Sequence, residues 1–284
     1  MSDKEQRTRA WFLKRSFCGI EEVFCAGGLF VSILFLSISI RDAVAQTTAL
    51  GRWTWVGGSD VVQRPGVYGT SQTPSAGNVP GARQSAMGWT DKSSNLWLFG
   101  GSGDDASGTN GYLNDLWRFN SSTGEWTWMS GSSTVPESCG VNSTCGQSGI
   151  YGTLQTPASG NVPGARYLAA TRTDASGDLW LFGGFGYDSA ATFGMLNDLW
   201  EFKPATNQWT WISGGSTITG GEGAPGVYGT QGQAAATNTP GSRAEAISWT
   251  DGNGNFWLFG GDGGINGKFN DLWKFNPSTD EWPG

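Results

Sequence analysis

The stretch Leu96-Trp97-Leu98-Phe99-Gly100-Gly101, followed by Leu113-Asn114-Asp115-Leu116-Trp117-Arg118-Phe119 and then Glu125-Trp126-Thr127-Trp128, decides how this chain is read. In an extended segment Trp97 and Phe99 project to one face and Leu96 and Leu98 to the other. A strand apolar on both faces is one packed on both sides. Consecutive glycines supply backbone angles that side chains forbid and admit close backbone neighbours, so Gly100-Gly101 is expected to end its strand. The unit then reads as four strands: Arg83 through Met87 to Trp89, Leu96 to Phe99, Asp115 to Phe119, and Glu125 to Met129.

The unit occurs three times. Gly66-Val67-Tyr68-Gly69-Thr70 returns around Tyr151 and Tyr228, and Pro80-Gly81-Ala82-Arg83 returns as the segments ending at Arg166 and Arg243. The Asn-Asp-Leu-Trp segment holding Asp115 returns around Asp198 and Asp271. The glycine pair Gly100 and Gly101 returns as Gly183 and Gly184, then as Gly260 and Gly261, giving periods of 83 and 77 residues. Between the fourth strand of one unit and the first of the next lie long stretches rich in Gly, Ser, Thr and Pro, roughly 57–82, 130–165 and 214–242. Connections this long are usually functional or mobile, and their repeated Gly-x-Tyr-Gly-Thr element is expected to be ordered against its own unit.

An apolar strand, a Gly-Gly pair, then an aromatic residue with Trp seven positions later resembles the kelch repeat. The aromatic pairs are Phe119 with Trp126, Phe202 with Trp209, and Phe275 with Trp282; the usual Tyr of the family is Phe here. The resemblance covers nearly all of the chain from Arg52 onward and is closest to exported bacterial kelch proteins of the galactose-oxidase-like superfamily. It implies an all-β fold of kelch-type β-propeller blades, three four-stranded antiparallel units forming an open arc or partial propeller. At ~50 residues per kelch blade, 284 residues would allow five or six; the repeats give three. The expected divisions are 46–57 as an N-terminal outer strand, 58–129 and 130–212 as blades 1 and 2, and 213–284 as blade 3, incomplete at its fourth strand. Propellers close with about four to eight blades. Two expectations follow: a homodimer completes a six-bladed ring, or the chain is a truncated product without function.

Residues 1–45 differ from the rest. A basic start, Lys4 to Arg15, precedes an apolar run at 23–40 and Ala43-Val44-Ala45, the pattern of a cleaved signal peptide; an uncleaved signal anchor at 23–40 is the alternative. Both imply export, to the cell surface or beyond. Without the six basic and five acidic residues of 1–45, the 17 Lys+Arg and 24 Asp+Glu of the chain become 11 and 19, net −8. Such an acidic chain does not seek nucleic acid, and it meets membrane only through the leader. In an oxidising compartment Cys139 and Cys145 are expected to form a disulfide.

The chain has no His, which removes histidine general-base chemistry, His-paired nucleophiles and His-ligated metals. The copper site that the superfamily resemblance would imply needs His, so galactose oxidase activity does not transfer. No metal or other cofactor is expected. Arg83, Arg166 and Arg243, with Asp115, Asp198 and Asp271, occur once per unit and read as structural Arg–carboxylate pairs; the bolder alternative is a ring of Arg binding an anion. Asp91, Asp174 and Asp251 read as turn residues. Trp126, Trp209 and Trp282 read as structural, Trp97, Trp180 and Trp257 as core, and Trp55, Trp128 and Trp211 as the better candidates for exposure.

Strand parity places the two-to-three loops and the long connections on one face, where variation on a rigid scaffold favours recognition. The candidate ligand-binding residues there are Asp104, Asp105, Tyr112, Tyr187, Asp188, Asp262, Asn266 and Lys268, read as non-repeated loop residues. Solvated turn residues, or oxygen ligands for Ca²⁺, are the alternatives. The function expected is a non-catalytic binding module for a protein or glycan; a His-free polysaccharide lyase or hydrolase is the alternative.

Overall fold

The computed structural model describes residues 52–136, 145–219 and 223–283, and Thr54–Gly284 forms one compact unit. The expected leader at 1–45 and Cys139 lie outside the described residues. The described fold is all-β, built of antiparallel blades in a β-propeller-like arrangement. Its one helical turn among the described residues is Gly264–Asn266.

Blade 1 contains β1 (Arg83–Gln84), β2 (Met87–Thr90), β3 (Leu96–Asp104), β4 (Asn110–Asn120) and β5 (Glu125–Ser130). Both β1 and β2 pair with β3, which pairs with β4, which pairs with β5. Blade 2 repeats this with β6 (Arg166–Tyr167), β7 (Ala170–Thr173), β8 (Leu179–Tyr187), β9 (Phe193–Lys203) and β10 (Gln208–Ser213). In blade 3, β11 (Ala234–Ala235) precedes β12 (Ile247–Thr250), β13 (Phe256–Phe259) and β14 (Leu272–Phe275), and β15 (Trp282–Pro283) pairs with β11.

Two strand readings are corrected. The innermost strand is not continuous from Arg83 to Trp89: Ser85 at φ +55° breaks it, as Leu168 and Glu245 do in blades 2 and 3. In blades 1 and 2 the glycine pair does not end its strand either, whereas β13 of blade 3 stops at Phe259, just before its pair, as expected. In blade 1 the pair makes a bulge, the register slipping from Phe99↔Leu116 to Gly101↔Leu113, and pairing resumes through Gly103↔Gly111 and Asp104↔Asn110. Beyond the bulge the strand is held on its other side by Arg83↔Gly103 and Gln84↔Ser102. The glycines are required by what lies against them. Gly183 has φ +63°, and a Cβ there would sit 2.7 Å from the Arg243 carbonyl oxygen of the next blade.

Alternation along the strands makes the core. Trp97 and Phe99 face blade 2, where Trp97 meets Phe202 at 5.3 Å and Phe99 meets Trp209 at 5.5 Å between ring centroids. Trp180 and Phe182 repeat the contact on Phe275 and Trp282 at 5.2 and 5.5 Å. Each such pair contributes about 0.5–1.5 kcal/mol beyond its area. Hydroxyls add links between neighbouring blades: Thr173 Oγ1 donates to the Thr90 carbonyl at 3.0 Å and Thr250 Oγ1 to the Thr173 carbonyl at 3.3 Å.

The long connections run along the outer edge of the blade they precede. The Gln72 N–H donates to the Trp128 carbonyl at 2.7 Å, Ser75 bridges Trp126, and Asn78 Nδ2 donates to the Trp126 carbonyl at 3.1 Å. Gln155, Ala158 and Asn161 do the same on blade 2, and β11 with Asn238 does so on β15. An unpaired outer strand is an aggregation template; here it is covered. Trp128 and Trp211, read as candidates for exposure, are half-buried because Tyr68 and Tyr151 meet them edge-on at 5.3 and 5.2 Å. Trp55 is exposed, and residues 52–57, read as part of an outer strand, pair with no strand among the described residues.

Candidate functional site

The once-per-blade polar residues form a knot in each blade, buried in blades 1 and 2 and partly open in blade 3, where Tyr228 is exposed. In blade 2, Arg166 Nη1 and Nη2 donate to the two Asp198 oxygens at 2.7 Å each. Its Nε and Nη1 also donate to the Gly164 and Gly183 carbonyls at 3.0 Å. Asp198 Oδ2 further accepts from the Tyr151 hydroxyl at 2.6 Å and the Trp200 indole at 2.7 Å. Burial, then the Asp198 anion, pushes the Tyr151 hydroxyl well above its ordinary value. Arg83 with Asp115 and Tyr68, and Arg243 with Asp271 and Tyr228, repeat the knot. These arginines spend their donors inside the blade, so they present no ring of free cations. Asp91, Asp174 and Asp251 clamp their turns and accept the indole protons of Trp97, Trp180 and Trp257 at 2.8–2.9 Å.

Four residues read as loop ligands turn inward. Because strands run on past the bulge, Asp104 lies within β3 and Tyr187 within β8, and both are buried. Asp105 and Asp188 are buried and in register, 83 residues apart. Asp188 Oδ1 accepts the Ala190 and Thr192 N–H groups, and Oδ2 accepts that of Ile218 at 2.7 Å. Asp105 does the same for Ser107, Thr109 and Val135. These carboxylates tie each two-to-three loop to the connection leaving the blade; they are repeated pins, not free ligand donors.

What the face does present is a cross-strand row just beyond each bulge. In blade 1 the row is Gln84, Ser102 and Tyr112, in register across β1, β3 and β4. In blade 2 it is Tyr167, Phe185 and Met195. In blade 3 it is Ala244, Asp262 and Lys268, joined by bridges. One set of positions therefore carries three chemistries. Tyr112 stacks on Tyr167 of the next blade at 5.1 Å and 4° and on Phe193 at 4.8 Å and 18°, and Phe185 meets Phe193 edge-on at 4.5 Å. All four rings are half-buried. Burial, then the neighbouring Tyr112 and Glu245, pushes the Tyr167 hydroxyl up to about 12, so it stays a protonated donor at neutral pH. At the far end Lys268 Nζ reaches Asp262 at 3.2 Å, and both remain partly open to solvent. Asn266 sits exposed in the helical turn beside them.

The structure thus places Tyr112, Asp262 and Lys268 of the expected residues in these rows and adds Gln84, Ser102, Tyr167, Phe185 and Met195, with Phe193 packed beside them. The signal for Ser102 and Phe185 was their alignment column, the first residue past the glycine pair, where the third copy has Asp262 and every copy differs. On the opposite face Asp174, Asp178 and Glu201 bring carboxylate oxygens within 4.8 Å of one another. The cation in that trio is Lys203, 3.3 Å from Glu201 and 3.9 Å from Asp178. Among the described residues no helix is long and apolar enough to cross a membrane.

No protein-family model matches the chain, and no curated protein matches it. Among solved structures, that of YjhT is similar, with a TM-score of 0.45 and 17% sequence identity over 73% of this chain and 53% of that one. The chain therefore spans about half the length of that structure.

Proposed function

We propose that this chain is an exported, kelch-type, non-catalytic binding module whose ligand is a glycan, held on the aromatic part of the cross-strand row. The observation that carries this reading is the cluster of Tyr112, Tyr167, Phe185 and Phe193, half-open on the face where the three blades differ. Aromatic rings offer broad apolar contact to the C–H faces of sugars, and tyrosine hydroxyls supply polar handles beside them. Glu245 and Tyr167 can accept and donate to sugar hydroxyls there. The buried engagements of Asp105 and Asp188 weigh against acid–base work by those two carboxylates. A Cys139–Cys145 disulfide fits the exported reading: the Tyr112 N–H donates to the Cys145 carbonyl at 2.6 Å, so a staple there would stiffen the backbone under the site.

The test is a glycan array probed with the purified chain, followed by titration of any hit against Tyr112→Ala and Phe185→Ser. Loss of one ring contact at about 1–2 kcal/mol weakens binding five- to thirtyfold. An array without a hit, or a hit that both variants bind as tightly as the wild type, overturns the ligand class and its site, and product formation from a bound glycan overturns the non-catalytic reading.

A further inference from the structure

Each blade has a trailing face, turned towards the next blade in the chain, and a leading face, turned towards the previous one. On the trailing face Met87, Trp89, Phe99 and Leu116 of blade 1 are at most 6% exposed. So are their blade 2 equivalents Ala170, Arg172, Phe182 and Leu199. At the same repeat positions in blade 3, Ile247, Trp249, Phe259 and Leu272 are 42 to 57% exposed. Among the described residues no blade lies against them.

The leading face shows the converse. Leu179 and Phe202 of blade 2, like Phe256 and Phe275 of blade 3, have no exposed surface. In blade 1 the equivalent Leu96 is 45% exposed and Phe119 is half-buried. Phe119 and Trp126 line an open groove of about 510 Å³. This is where blades 2 and 3 receive the aromatic pair of the blade before them.

We infer that the trailing face of blade 3 receives the leading face of blade 1 from a second copy of this chain, head to tail, so that two identical contacts close a pair of chains. The occupant follows from the two contacts inside the chain, because a second copy carries the matching half of each open face. The periodicity also specifies the joints. Trp257 lies on Phe119 and Phe259 on Trp126, as Trp97 lies on Phe202 and Phe99 on Trp209. The Trp249 indole donates to the Trp97 carbonyl, as the Trp89 indole donates to the Trp180 carbonyl at 3.0 Å. Thr90 Oγ1 donates to the Thr250 carbonyl, continuing the links through Thr173 and Thr250. A head-to-tail contact closes when its rotation completes a circle and otherwise grows into a filament. With the outer edges covered by their connections, association proceeds by faces and not by edge pairing.

The test measures mass by light scattering across the micromolar range on the full chain, processed as its cell processes it. Phe259→Asp and Leu96→Asp alter one exposed side chain on each open face, and their circular dichroism and unfolding midpoints check that each blade remains folded. The wild type is expected at twice the chain mass and each variant alone at half that value. A mixture of the two variants regains the doubled mass through the one intact contact it can make. A wild type that stays a single chain, whether its end faces are bare or covered by residues 1–51, overturns the inference. So do variants that remain double, or wild-type assemblies that lengthen with concentration.

Discussion

The Tyr151 hydroxyl donates to Asp198 at 2.6 Å from a connection 47 residues upstream, and by this bond the connection is locked to the third strand of its own blade. The acceptor is an ion that also holds Arg166 and Trp200, so the bond belongs to the charge-assisted class. Tyr151→Phe keeps the ring against Trp200 and Trp211 and removes only this donor. It is expected to lower stability by about 1.5–3 kcal/mol, read as a drop in the urea midpoint with an unchanged slope.

Gly183→Ala and Gly260→Ala separate two costs of the bulge. Both glycines have nearly the same positive φ, +63° and +64°, so the backbone penalty is shared. At Gly183 a Cβ also meets the Arg243 carbonyl oxygen at 2.7 Å, whereas at Gly260 the nearest neighbour is the Phe269 oxygen at 3.1 Å. Each variant is expected to lose more than about 1 kcal/mol, and Gly183→Ala to lose more than Gly260→Ala in chemical denaturation on a Leu96→Asp background, where chains stay single.

Asp271 gives the third knot a sensitivity to acid. Burial works to raise its carboxyl, but hydrogen bonds from Arg243, Trp273 and Tyr228 outweigh burial and bring it down to about 2. A carboxyl depressed on folding contributes stability that is present above its unfolded value and is lost as pH falls through its folded value, here between about pH 4 and pH 2. Asp271→Asn is expected to be less stable than the wild type at neutral pH and to lose less on acidification. Urea midpoints measured across that interval for both proteins check the sign.

Asp188→Ala leaves three N–H groups, of Ala190, Thr192 and Ile218, without their acceptor. The expected cost is about 1–3 kcal/mol, from part-buried donors that lose a charged acceptor. Faster amide exchange confined to Ile218 and the 189–192 loop is the accompanying signature; uniform exchange across blade 2 would show instead that the carboxylate supports the whole sheet.

The blades were legible because packing imposes a strict period on strands, and residues such as Trp97, Leu98 and Phe99 can satisfy two buried faces in no other way. The bulge was not, because its second half depends on Arg83 and Gln84 returning to pair with Gly103 and Ser102, a relation between distant segments. That one oversight moved Asp104 and Tyr187 from strand to loop in the sequence reading. The role of Asp105 and Asp188 was available in their 83-residue spacing, since two acids at one repeat position serve architecture more readily than a single site. Tyr167 and Phe185 carried no such mark: each stands alone in its column, and only the stacking of Tyr112 on Tyr167 across two blades reveals the surface they share.

The bulge at Gly100-Gly101 and its repeats divides every blade into two territories with different freedoms. Below it, side chains at the joints between blades are fixed by neighbours on both sides, and a change there is felt across the stack. Above it, the same backbone carries Ser102, Phe185 or Asp262 at one position with its pairing intact. Such a scaffold can exchange one surface chemistry for another by substitutions in a few columns, without insertions and without renegotiating its core, so variation of this face and preservation of the fold proceed under separate constraints.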